Sequence, residues 1–474
     1  MTIHITPELS RPALAVAPPS DVWARIGDWL QRHQRTIRTV QWSVVSVYAV
    51  LLVVPVLLPL PDNAAYLWSN FTRFAQFIFW GIWWPFVLAG TALVGRVWCG
   101  LLCPEGSITE FASGHGLGKA TPRWMTWPGW PTVAFASTTL YGQMVSVYQY
   151  PRPALLILGG STVAAAMVGY LYGRNKRIWC RYLCPASGVF ALLAKIAPLH
   201  FRVEPVLWQR SQLAREKPGP VNCAPLVPLR TMRGGSDCHM CGRCSGFRGA
   251  IRLARRSPNH EIVHVAGQTT KPWETGLIVF GLMGLALGAF QWSASPWFVA
   301  AKQWAAMRLV EAGVLWPLDA TAPWWLLTNY PDRNDVLTLL DGAFLIAYVA
   351  AVALTSGAAT ALMLALSTRL MGGWNASRFH HLAQALIPLA GAGVFLGLSS
   401  LTVSQLRSDG IAIPFVGEMR AALLVAATFW SAALSWRIAA LYTTWRASRV
   451  LALCAFCAAM APANAGWFLL FAAW

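Results

Sequence analysis

The stretch "GRVWCGLLCPEG" (residues 95–106) closes an apolar run, and about eighty residues later the chain nearly repeats it as "GRNKRIWCRYLCPASG" (173–188). Each copy carries W-C-x3-C-P: Trp98, Cys99, Cys103 and Pro104, then Trp179, Cys180, Cys184 and Pro185. A proline directly after the second cysteine removes an amide donor and stops a helix there. Two hairpins of the same polarity, each ending this way, bring Cys99, Cys103, Cys180 and Cys184 together at one membrane surface. Four thiolates are the complement of one [4Fe–4S] cubane. They also suit Cu(I), and a redox dithiol pair or plain helix packing stays open at this point.

Outward from the repeat, the composition defines the setting. Of 474 residues, 56% are hydrophobic and only 12% charged, roughly half the charge of a soluble chain. Apolar runs of about twenty residues recur, as membrane spans require. They place nine spans near 40–60, 73–94, 129–149, 154–172, 273–292, 336–366, 381–402, 418–441 and 450–473. The run at 336–366 is long enough to be tilted or broken at Gly357. The 26 Trp fit interfacial anchoring, and the net charge of +19 sits beside the apolar runs. That is the positive-inside pattern, with Arg96, Lys119 and Arg123 after the second span and Arg174, Lys176 and Arg177 after the fourth as cytoplasmic loop charges, rather than a nucleic-acid surface. No secretory signal is expected, because residues 1–38 are polar and end in a basic stretch.

The expected fold class is therefore an all-α polytopic membrane protein with a small domain on the cytoplasmic side, whose ferredoxin-like iron–sulfur character is read from the cysteines of 198–272. Its parts are a cytoplasmic basic tail (1–38), duplicated transmembrane hairpins (39–197), a cluster domain (198–272), and a C-terminal bundle (273–474) with a periplasmic loop near 293–335.

Within 198–272, "DCHMCGRCSG" (237–246) carries Cys238, Cys241 and Cys244 in C-x2-C-x2-C spacing. Such short gaps let successive thiolates wrap one face of a cubane, and Gly242 allows close backbone approach. The fourth cysteine of the bacterial ferredoxin run is missing, and Arg248 stands in its place. Cys223, in "VNCAPL", is the one other cysteine of this segment and completes a set of four. Zinc is the competing occupant, although structural zinc sites usually pair separate C-x2-C knuckles. On the reducing side of a membrane these eight thiols read as ligands rather than disulfides.

Paired C-x3-C-P motifs at span ends, followed by a C-x2-C-x2-C segment, resemble the membrane-bound 4Fe-4S polyferredoxin family. That family includes NapH-like, NosR-like and CcoG-like proteins. The resemblance covers about residues 40–265. It implies iron–sulfur electron transfer at the cytoplasmic membrane, and copper handling for some members. The chain departs in having one ferredoxin-type run without its trailing Cys-Pro, about five further spans after residue 272, and no flavin domain.

The expected function is electron transfer from a cytoplasmic or quinol donor to a respiratory or assembly acceptor, as a carrier or as a quinol-linked oxidoreductase component. The alternative is a copper-handling or cupric-reducing assembly factor, and a transporter with a regulatory cluster is a third reading. Membrane lipid, unidentified donor and acceptor proteins, and no nucleic acid are the expected partners. Arg252, Arg255 and Arg256 are candidates for docking an acidic ferredoxin or flavodoxin.

Several further residues invite a role. Asp341 reads as the one carboxylate well within a span, and intramembrane acids default to function. His380 and His381 open a span and offer a quinone contact; a bis-histidine haem lacks partners on other spans. Cys454 and Cys457, one turn apart, read as helix packing or as a thiol pair. Glu105 and Glu110 read as solvated surface residues.

Overall fold

The computed structural model describes residues 21–62, 65–215, 218–269 and 271–474. Residues 1–20 of the expected tail lie outside the described residues. The described chain is mostly helical. In chain order its principal helices are α1 (Val22–Arg32), α2 (Gln34–Leu57), α3 (Phe71–Val94), α4 (Pro104–Gly114), α5 (Trp130–Met144), α6 (Pro151–Tyr172), α7 (Ile178–Tyr182) and α8 (Ser187–Ile196). They continue as α9 (Pro205–Leu213), α10 (Pro272–Gln291), α11 (Pro296–Glu311), α12 (Leu339–Leu370), α13 (Ala376–Ser408), α14 (Val416–Tyr442) and α15 (Arg446–Ala473).

Eight of these are long and apolar enough to cross a membrane: α2, α3, α6, α10, α12, α13, α14 and α15. The chain is a multi-pass membrane protein. The expected ninth span, 129–149, is the 15-residue α5. It stops because Ser146 turns into the left-handed region (φ 49°) and the Val147 N–H returns to the Gly142 carbonyl at 2.9 Å. α12 runs unbroken for 32 residues through Gly357. Glycine is needed there because a Cβ would overlap the Phe280 ring of α10.

The C-terminal bundle is held by close approach of small residues, as helices in lipid are. Ser367 and Thr360 of α12 donate to the Ala452 and Ala459 carbonyls of α15 at 2.7 and 3.0 Å. α10 is largely enclosed, its Gly284 and Gly288 lying against the Ala353 and Val349 backbone of α12.

The duplication seen in sequence is repeated in backbone geometry. The Cys103 N–H bonds the Trp98 carbonyl at 2.9 Å, and the Cys184 N–H bonds the Trp179 carbonyl at 3.0 Å. Ser107 and Ser187 then return to the carbonyls of Cys103 and Cys184, each at 3.1 Å. Gly95 (φ 77°) ends α3 and turns the chain into the first motif. The copies meet because α4, which follows the first motif, packs on α6, which precedes the second. Gly169 permits this approach, since a Cβ there would overlap the Thr109 carbonyl.

Segment 198–272 folds on a two-stranded antiparallel sheet. Strand β1 (Leu199–Val203) pairs with β2 (Ile251–Arg255), with Phe201 opposite Leu253. Alternation sends Phe201, Ile251 and Leu253 into a small core with Trp208 and Met240. Helix α1, from the stretch read as tail, packs on β2: Gly27 lies against Leu253, and the Ser245 hydroxyl donates to Asp28 at 2.8 Å.

Candidate metal centres

Cys99, Cys103, Cys180 and Cys184 all line one cavity of about 230 Å³. Two come from the turn between α3 and α4 and two from α7 and the turn after it. Cys103 caps α4, and its sulfur accepts the Gly106 N–H at 3.4 Å. The cavity extends from the thiols into the span layer along Tyr48 of α2, Phe79, Trp80 and Trp83 of α3, and Ile157 and Leu158 of α6.

Cys223, Cys238, Cys241 and Cys244 line a second, smaller cavity. Met240 (φ 56°) and Gly242 (φ 77°) adopt left-handed conformations that curl the C-x2-C-x2-C run around it. The Met240 N–H donates to the Cys238 sulfur at 3.4 Å. Cys223 comes from a loop fastened to the second motif: Lys176 donates to Asn222 and to the Cys223 carbonyl at 2.6 and 3.1 Å, and the Arg177 N–H bonds the Ala224 carbonyl at 2.8 Å. Arg248, standing where a further cysteine was sought, turns away toward α9. Its guanidinium lies 5.5 Å from the Trp208 ring and bonds Ser211.

Cys99, Cys103, Cys180 and Cys184 thus face one cavity, and Cys223, Cys238, Cys241 and Cys244 face another. Burial pushes Cys180 and Cys238 up to about 12 and also raises Cys103, Cys184, Cys223 and Cys244. Such thiols become ligands by surrendering protons to the metal. Among the described residues, no three His, Cys, Asp or Glu side chains are grouped to hold a single metal ion. Four cysteines at each cavity are the ligand complement of one cubane, and the N–H···S donors at Cys103 and Cys238 suit thiolate sulfurs.

The two sets are in contact. Gly100, next to Cys99, lies on the backbone of the other set: a Cβ there would overlap the His239 carbonyl and sit 2.9 Å from the Cys241 nitrogen. Arg96 is 4% exposed and donates to the Ser236 carbonyl at 3.0 Å. Arg177 is 1% exposed, bonds the Cys99 carbonyl, and pairs with Glu110 at 2.8 Å. Arg181 pairs with Asp237 at 2.9 Å.

Arg96 and Arg177 are not simple loop charges of the positive-inside pattern; they are buried beside the cysteines. Their signal was present, because both copies read R-x-W-C. Glu110 is not a solvated surface residue either: it joins Arg177 and, at 2.6 Å, Arg243. Glu105 is also drawn in, accepting from the Trp179 indole at 3.1 Å and lining the larger cavity.

The remaining candidates stand elsewhere. Asp341 is not deep within a span. It sits in the first turn of α12, forms a capping box with Thr338, and pairs with Lys302 at 2.7 Å. Both His381 ring nitrogens are engaged, with the Tyr442 hydroxyl at 2.7 Å and the Ile262 carbonyl at 2.8 Å, so neither is free for a haem. His380 faces Thr275. Cys454 and Cys457 are exposed on α15 and do not pack; Ala452, Ala455, Ala459 and Ala463 form the buried side. Arg256 is buried in a pair with Glu261 and bonds the Ala197 and Ala194 carbonyls, which removes it from any docking surface.

A family model described as a 4Fe-4S binding domain matches residues 76–122 and 155–204. Both matched stretches contain a C-x3-C-P motif. No curated protein and no solved structure matches the chain. The match covers about a fifth of the chain and, with the eight membrane-length helices, supports a multi-pass iron–sulfur protein with an electron-transfer role.

Proposed function

We propose that the chain is a two-cluster electron relay of the polyferredoxin type in a bacterial inner membrane. Cys99, Cys103, Cys180 and Cys184 hold one cubane. Cys223, Cys238, Cys241 and Cys244 hold the other in a ferredoxin-like domain. The observation that carries this reading is the gathering of eight cysteines into two contiguous sets of four, the first within the stretches that match the 4Fe-4S family model. That match also favours iron over copper at the paired motifs, against the copper-assembly alternative. The cysteine side is assigned to the cytoplasm because Lys119, Arg123, Arg174 and Lys176 accompany it.

Each cubane supplies a one-electron couple when bound, while the chain's own residues set its surroundings. Arg96 and Arg177 place two buried cations beside the thiolates and offset their negative charge. Aromatic side chains of α2 and α3 form much of the wall beside the first set.

Of the two donor classes, the larger cavity supports a quinol. Its wall leads from the thiols into the span layer and is mainly aromatic and aliphatic, as a site for an isoprenoid ring compound would be. Arg252 and Arg255 remain for an acidic soluble partner.

The test is anaerobic rapid mixing of loaded protein with a short-chain quinol, followed by visible absorption. Wild type is expected to be reduced. Leu158→Trp, which narrows the cavity at its α6 wall, is expected to slow quinol reduction at least tenfold while iron content and dithionite reduction are unchanged. Absence of quinol reduction in wild type, or an unchanged rate in Leu158→Trp, would refute the quinol assignment.

A further inference from the structure

The geometry points to the Gly100–His239 contact as the crossing between the two cysteine sets, the place where an electron passes from one to the other. The inference rests on the two-cluster reading above. Gly100 follows Cys99 directly, and the atoms it meets belong to His239, adjacent to Cys238, and to Cys241 itself. The absence of a side chain at residue 100 brings the two backbones together with neither lipid nor water between them. Any other residue would wedge them apart.

The contact is clamped from several directions. From α2, Gln41 donates to the Gly100 carbonyl at 3.0 Å and Gln34 to the Cys241 carbonyl at 3.1 Å, so one helix holds both sides. Arg96 reaches Ser236 at 3.0 Å and Arg181 reaches Asp237 at 2.9 Å, pinning the strand of chain that leads into Cys238. His239 is 2% exposed, so the crossing is shut off from solvent. Residues from three separate parts of the chain converge on a contact that neither cysteine set needs for its own ligation.

Electron transfer falls steeply with separation and runs better through packed and bonded atoms than across a gap. A direct backbone contact beginning one residue from a ligand on one side and ending at a ligand on the other is a short route. The step is a simple exchange: the reduced site loses one electron and the oxidised site gains it. No bond forms or breaks and no proton moves.

The experiment is electron paramagnetic resonance of the full chain, loaded anaerobically and reduced with dithionite. Wild type is compared with Cys99→Ser/Cys103→Ser/Cys180→Ser/Cys184→Ser and with Cys238→Ser/Cys241→Ser/Cys244→Ser. Two adjacent paramagnetic sites interact, so the wild-type spectrum is expected to be split and broadened beyond the sum of the two single-site spectra. Gly100→Ala, at unchanged iron content, is expected to narrow that splitting. Wild type with about eight iron per chain and a strictly additive spectrum would overturn the crossing while leaving two clusters in place. Wild type with about four iron would overturn the two-cluster reading and the crossing with it. The wild-type comparison decides independently of whether the Gly100 variant loads.

Discussion

Replacing Arg177 with methionine removes the cation that fastens α4 to the second cysteine motif. Its guanidinium side chain is 2% exposed and meets Glu110, 17% exposed, at 2.8 Å, while also bonding the Cys99 carbonyl. Removing one partner of a buried pair costs ~3–5 kcal/mol, because the other charge stays buried. Glu110 keeps Arg243 at 2.6 Å, which places the loss at the lower end, about 3 kcal/mol, or roughly a hundredfold in the folding equilibrium. Unfolding in mixed micelles, with Arg177→Met, Glu110→Gln and the double variant, gives the coupling energy. A loss below ~1 kcal/mol, the range of exposed pairs, would refute the reasoning. The pH dependence carries a defined sign. Burial alone would raise the Glu110 carboxyl, but Arg177 and Arg243 outweigh it and hold the group below its ordinary 4.5. A carboxyl lowered on folding stabilises fully above its unfolded value, and that contribution is lost as pH falls through the lower folded value. The gap between wild type and Arg177→Met should therefore be widest near neutrality and close as the pH drops below 4.5.

Gly169→Val should drive α4 from α6 through the Thr109 carbonyl and reduce iron at the C-x3-C-P set, while the Cys238 set keeps its own; metal analysis of the variant, alone and combined with Cys238→Ser/Cys241→Ser/Cys244→Ser, checks this. Asp341→Asn should lower thermal stability through a weakened cap and the lost Lys302 pair, by about 0.5–2 kcal/mol, and leave reduction kinetics unchanged. Cys454→Ser/Cys457→Ser should retain full iron, sulfide and electron-transfer rate, since both thiols lie on the exposed side of α15.

Much of this architecture was legible because it is carried by local pattern. W-C-x3-C-P appears twice, and the matching Cys103–Trp98 and Cys184–Trp179 hydrogen bonds show that a repeated sequence made a repeated turn. Apolar runs located the spans, since the lipid core demands length above all. Short cysteine spacing grouped Cys238, Cys241 and Cys244, and Cys223 followed by elimination. Less legible was whatever depends on distant contacts. Charge counting takes Arg96 and Arg177 as cytoplasmic loop charges, although their shared place in R-x-W-C marks them as parts of the repeat. Hydropathy averaging put Asp341 inside a span. The T-x-x-D pattern from Thr338 marks a helix start instead, where a carboxylate accepts backbone N–H groups. Spacing put Cys454 and Cys457 on one face of α15 but could not say which face, and the alanine stripe took the interface. The docking of α1 and the Cys223 loop onto the cysteine motifs has no local signature at all.

The most direct test of the account is iron and acid-labile sulfide in anaerobically purified protein, wild type beside Cys99→Ser/Cys103→Ser/Cys180→Ser/Cys184→Ser, with copper measured in the same samples. Two cubanes predict about eight iron and eight sulfide per chain, falling to about four of each in the variant. About four iron in both samples, with copper present only in the wild type, would contradict a two-cluster relay and assign the paired motifs to copper.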